Sequence, residues 1–125
     1  MKNKRKEYKD AIGWERVPDL ALDKGIEFIC PYKIDELGNK YRGAEKVSWR
    51  TAVMLCYWLN GNTTTASANK VNRNHSSLIH HFNTLDSELF TCDYRVIGKI
   101  REIQYYSQKM SLKYCKEVEF KIELS

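Results

Sequence analysis

The chain has 125 residues, with 21 basic and 16 acidic side chains and a net charge of +5. That length fits one domain with a modest core, and the basic balance suits a polyanionic partner. No apolar run reaches membrane-spanning length, and the Lys-rich start lacks the apolar centre of a secretory signal, so the expectation is a cytoplasmic protein with no membrane role.

Taken in order, residues 1–9 carry Lys2, Lys4, Arg5, Lys6 and Lys9. The plain reading is a solvated, frayed terminus; the functional alternative is an arm that touches phosphates. Residues 11–24 hold one or two short helical pieces broken near Pro18, with Gly25 as a helix stop. Residues 26–32, IEFICPY, have the β-branched and aromatic content of a strand, and Pro31 marks its end or an edge position. Residues 37–40 read as a turn.

Residues 48–59 should form the most buried helix. Ser48 caps it, and Ala52, Val53, Leu55, Cys56 and Leu59 supply its apolar face. Gly61-Asn62 ends it. Thr63, Thr64 or Thr65 caps a short helix over residues 66–71, where Ala66, Ser67 and Ala68 are small enough for a close crossing. A turn and a longer helix follow. Leu78, Phe82, Leu85 and Leu89 repeat at the spacing of one buried helical face, and Asn72 or Asn74 caps the start. Cys92-Asp93 is a break. Residues 94–109 carry Val96, Ile97, Ile100 and Ile103 at helical spacing.

The end of the chain changes period. Val118, Phe120, Ile122 and Leu124 alternate with Glu117, Glu119, Lys121 and Glu123, the pattern of a half-buried strand. A strand needs a partner, and residues 26–32 are the best candidate. The expected fold is therefore mainly α, with a small β-sheet built from the chain termini. The sheet is a local elaboration, a dimerisation edge or a dock for a protein partner.

The first turn of the helix after residue 74 is unusual. Arg73, Asn74, His75, Ser76 and Ser77 gather polar side chains around a helix N-terminus, where base edges and phosphates are read. The run Arg73-Asn74-His75-Ser76-Ser77-Leu78-Ile79 resembles the signature of the C-terminal DNA-binding domain of the bacterial replication initiator DnaA. The signature is a basic residue, any residue, His, Ser or Thr, a second small residue and two aliphatics. Residues 50–56, RTAVMLC, are similar to the helix that precedes the helix-turn-helix of that family. The resemblance covers residues 47–103, and departs from the family at His81 and Thr84.

It implies a helix-turn-helix core of the DnaA C-terminal or Trp-repressor-like kind over residues 47–103, inside a single domain of residues 1–125. Residues 1–46 and 110–125 are flanking elaboration with short strands. It also implies sequence-specific binding of double-stranded DNA, in replication initiation or its regulation in a bacterium or a phage. Asn74, His75 and Ser76 are the expected base readers, and Arg73 and Ser77 the phosphate or positioning contacts. A basic loop before the core helix reaches the minor groove in that family, and Arg42, Lys46 and Arg50 are the candidates for it here.

Other chemistries find little support. There is no GxxxxGK[ST] phosphate loop, so no ATPase is expected. His75 and His80 lie five apart, and His80 and His81 point in different directions, so no metal site is expected. His81 reads as a ring packed on a neighbouring helix with one nitrogen bonded. Asp86 and Glu88 read as exposed helix carboxylates. Cys30, Cys56, Cys92 and Cys115 are scattered, and read as reduced thiols. No enzyme activity and no cofactor are expected. The alternative is a protein-interaction module built on a degenerate helix-turn-helix, with the terminal strands as its binding edge.

Overall fold

The computed structural model describes residues 4–37 and 43–124. Among the described residues lie seven helices: α1 (Lys4–Ile12), α2 (Asp19–Ile29), α3 (Ile34–Leu37), α4 (Ala44–Leu59), α5 (Thr64–Asn69), α6 (His75–Thr91) and α7 (Arg95–Leu124). The mainly α class is as expected.

The centre of the fold is α4. Every residue from 51 to 60 is buried, around the whole circumference of the helix. A helix enclosed on all sides needs neighbours on all sides, and α1, α2, α3, α5, α6 and α7 all pack on it. It begins earlier than Ser48: Gly43 is the cap, and the Ser48 hydroxyl donates to the Ala44 carbonyl inside the first turn. Asn60 and Gly61 end it, Gly61 with φ +109. The residue pairs that hold the α1–α2 connection are polar. Asn60 is 2% exposed, accepts from the Val17 N–H at 2.9 Å and donates to the Val17 carbonyl at 2.8 Å.

The expected terminal sheet is absent among the described residues. Residues 26–29 close helix α2, and residues 117–124 continue α7. The terminal edge offered to a protein partner or a second copy falls with it. For the first segment the cause is tertiary. Ala21, Leu22, Gly25 and Ile26 form one buried helical stripe, and Gly25 sits where a Cβ would lie 2.8 Å from the Ser107 backbone nitrogen of α7. Gly25 therefore serves a close helix crossing within α2 rather than a helix stop, and the crossing outweighs the strand propensity of IEFI. Pro31 still ends the segment, as it cannot continue a helix. The turn expected at residues 37–40 is described only at Leu37; residues 38–40 lie outside the described residues.

From Lys4 onward the basic terminus is helical. In α1, Tyr8 and Ile12 are buried, and the Tyr8 hydroxyl donates to Asp86 of α6 at 2.5 Å. Arg5 donates to the Asn62 carbonyl at 2.8 Å and lies over the Trp58 ring. On the other side of the core, α7 buries Val96, Ile97, Ile100, Ile103, Gln104 and Ser107 at helical spacing. Its start is capped from another helix. The Glu88 carboxylate, 8% exposed, accepts from the Val96 and Ile97 N–H groups at 2.9 Å. Glu88 is thus a buried cap and not a surface carboxylate, and Asp86, though exposed, is held by Tyr8. No described helix is long and apolar enough to cross a membrane.

Candidate nucleic-acid interface

The candidate site is built from α5, the turn over residues 70–74 and the start of α6. Thr63 caps α5, its hydroxyl accepting from the Ala66 N–H at 3.1 Å. Of the three small residues of α5, Ser67 and Ala68 are fully buried and Ala66 is exposed. In the turn, Val71 is buried, Asn72 takes a left-handed φ of 57, and the Arg73 N–H donates to the Ala68 carbonyl at 2.9 Å. Asn72 tolerates that conformation better than most residues, because its short polar side chain bonds locally. Asn74 then caps α6, its Oδ1 accepting from the Ser77 N–H at 3.3 Å. Of the two asparagines, Asn74 is the cap.

The buried face of α6 fixes what it presents outward. Leu78 and Leu85 are fully buried, and Phe82 and Leu89 pack partly buried against the core. The Phe82 ring lies 4.7 Å from Trp58 and 5.9 Å from Tyr8. The opposite face carries Ser76, Ile79, His80 and Asn83, all exposed. Sequence reasoning named the first turn and missed Ile79, His80 and Asn83. The signal was present: once the Leu78, Phe82, Leu85 stripe is taken as buried, helical phase alone puts these residues on the far side.

Side chains from three segments meet on one flank of this helix. Arg50 of α4, Arg73 of the turn, and His80 and His81 of α6 are close enough to feel one another. His81 faces Thr51, with both ring nitrogens 3.4 Å from the hydroxyl oxygen. Burial, then Arg50, His80 and Arg73, push its pKa down to about 4, so its ring is neutral at neutral pH. Arg50 is half-buried and donates to the Leu37 carbonyl at 3.4 Å; burial and Arg73 lower its pKa. The Arg50 and Arg73 cations, held close in partial burial, repel each other, and an anion placed between them relieves that repulsion. Below His81 the same flank opens into a groove of about 560 Å³, where Ser48, Thr51, Thr84, Ser87 and Arg95 face Glu88 and Asp93.

The other expected contacts are distributed unevenly. Asn74 and Ser76 are exposed at the start of α6, and Ser77 is half-buried beside them. His75 is the first residue of α6, with its side chain outside the described residues. Arg42 lies outside them altogether. Lys46 is only 7% exposed, with its ammonium 5.7 Å from the centre of the Tyr32 ring, so it offers little surface to a partner. Among the described residues no group of three or more His, Cys, Asp or Glu could hold a metal ion. Cys30 and Cys56 are buried free thiols, and Cys92 is an exposed one that ends α6 in a left-handed conformation. No family model, curated protein or solved structure matches this chain.

Proposed function

We propose that the protein binds double-stranded DNA in a sequence-specific manner, with α5 and α6 acting as a helix-turn-helix of the DnaA-like kind. The start of α6 enters the major groove, which is wide enough to admit a helix. Asn74, His75 and Ser76 read base edges, and Arg73, Arg50 and Ser77 hold the adjacent phosphates. A role in replication initiation or its regulation goes with the DnaA resemblance. The observation that carries the reading is the meeting of the Arg50 and Arg73 cations, with the His80 and His81 rings next to them, beside an exposed, polar helix start. Three chain segments contribute to it, and it is a poor arrangement for stability on its own. An exposed helix start also leaves backbone N–H groups without helical acceptors, which suits a phosphate oxygen.

The test is binding to a pool of random duplexes at several salt concentrations, with the bound fraction sequenced. The expected outcome is a defined site and an affinity that falls steeply with salt, because neutralised phosphates release counterions. Arg73→Ala should weaken binding to all sequences alike and flatten the salt slope by about one. Salt-independent binding, or a bound fraction with no sequence bias, would count against the reading.

A further inference from the structure

We infer that the first turn of α1, Lys4-Arg5-Lys6, is a second phosphate clamp, gripping the strand across the groove from Arg50 and Arg73. The inference rests on α6 being the helix that enters DNA, and it concerns what stands on the other side of that helix.

The two flanks of α6 are held by different elements. His81 turns to Thr51 and the Arg50 side of α4. Phe82 and Asp86 turn to α1, through the Tyr8 ring and hydroxyl. The exposed strip of Ser76, Ile79, His80 and Asn83 lies between the two. A helix with its side chains is about 10–12 Å across, close to the width of the major groove. Whatever flanks such a helix on both sides meets the phosphate rims of the groove. One rim then faces Arg50 and Arg73, and the other faces α1.

The first two turns of α1 lie beside the middle of α6. Lys4 reaches the Phe82 ring, with its ammonium 5.9 Å from the centre, while Tyr8 reaches Asp86, one turn further along α6. Lys4 and Tyr8 thus both reach the Phe82 ring, and the first turn of α1 stands on the flank of α6 away from Arg50. The three cations come first, and Glu7 and Asp10 lie behind them. Arg5, Lys6 and Lys9 line a hollow of about 460 Å³ with Asp10. The turn is also fixed in place, since Arg5 is tied to the Asn62 carbonyl just before α5 and Tyr8 to Asp86. A rigid cationic turn loses less entropy on binding a phosphate than a loose arm does.

The experiment compares the intact protein with the K4Q/K6Q double variant on the selected duplex. Both side chains belong to exposed residues, and the Arg5 and Tyr8 anchors stay in place. The variant should weaken binding equally for all sequences, flatten the log–log salt slope by about two, and select the same site. Phosphate ethylation on the intact protein adds a second readout, with interference expected on both strands flanking the contacted groove. If Arg73→Ala weakens binding while K4Q/K6Q keeps the original slope and affinity, the clamp is overturned and the proposed function stands. Interference confined to one strand overturns it in the same way. If the intact protein does not bind duplex DNA, both fall together.

Discussion

Helices α4 and α6 pack against each other, yet α4 is enclosed on every side while α6 keeps one face open. The enclosed helix carries Val53, Met54, Leu55 and Leu59 with no exposure, and its polar groups are turned to internal uses. The open helix shares its apolar stripe with the core and leaves Ser76, Ile79, His80 and Asn83 outside. The stretch of α4 that is buried all round, residues 51–59, can only contribute stability. A helix with one solvated face, a polar start and cations on its flank can also bind. Substitutions in α4 should therefore change folding first, and substitutions at the start of α6 should change recognition with little change in folding.

The largest effect is expected at the centre. Leu55→Ala removes a fully buried side chain from α4 and should cost about 2–5 kcal/mol in denaturant unfolding. A cost below about 1 kcal/mol would mean that α4 is not the enclosed element described. Next is Glu88, where the buried face of α6 holds another helix. Glu88→Ala leaves the Val96 and Ile97 N–H groups without their acceptor and should cost about 1–3 kcal/mol. Hydrogen exchange at the first turn of α7 should rise in that variant before exchange elsewhere does.

The boundary between the two helices should respond to pH. His81 has an ordinary pKa of 6.5 and a folded value of about 4. The native state resists the proton, so this contribution is complete above about pH 6.5 and is lost as the pH falls toward 4. Allowing for the partial exposure of the ring, the loss at pH 5 should be about 1 kcal/mol. His81→Gln should remove that part of the pH dependence, and an unchanged profile would place His81 outside the packed boundary.

The smallest effect on stability, and the sharpest on recognition, is expected at Asn74. Asp and Asn cap helices about equally well, so Asn74→Asp should leave unfolding nearly unchanged. Asn both donates and accepts, which suits the adenine edge, whereas Asp only accepts, which suits the cytosine amino group. Selected-site sequencing should show a shift at one base pair, with about 1–3 kcal/mol of discrimination at stake. Identical preferences in both forms would leave Asn74 as a cap alone.

The same contrast explains what was legible in the sequence. The Leu78, Phe82, Leu85 and Leu89 stripe, the break at Cys92 and the Gly61 terminus are local signals, and the structure follows them. The expected strands failed because their fate depends on distant contacts. Gly25 meets Ser107, 82 positions away in the chain, and only that close crossing explains a helix through Ile26 and Phe28. The basic terminus misled in the same way. From Lys4 onward it is a helix held by Tyr8 on Asp86 and Arg5 on Asn62, partners that no local pattern announces. At the candidate site, the polar run of residues 73–77 was legible as a motif. The gathering of Arg50 and His81 around Arg73 was not, because it needs the packing of α4 on α6.

The most direct test of the central claim follows backbone amide signals by NMR as a selected duplex is added to the intact protein. The account predicts shifts concentrated at residues 73–83 and around Arg50, with residues 52–59 of α4 nearly silent. Shifts that spare the start of α6 and gather instead on α2 or the outer face of α7 would contradict it.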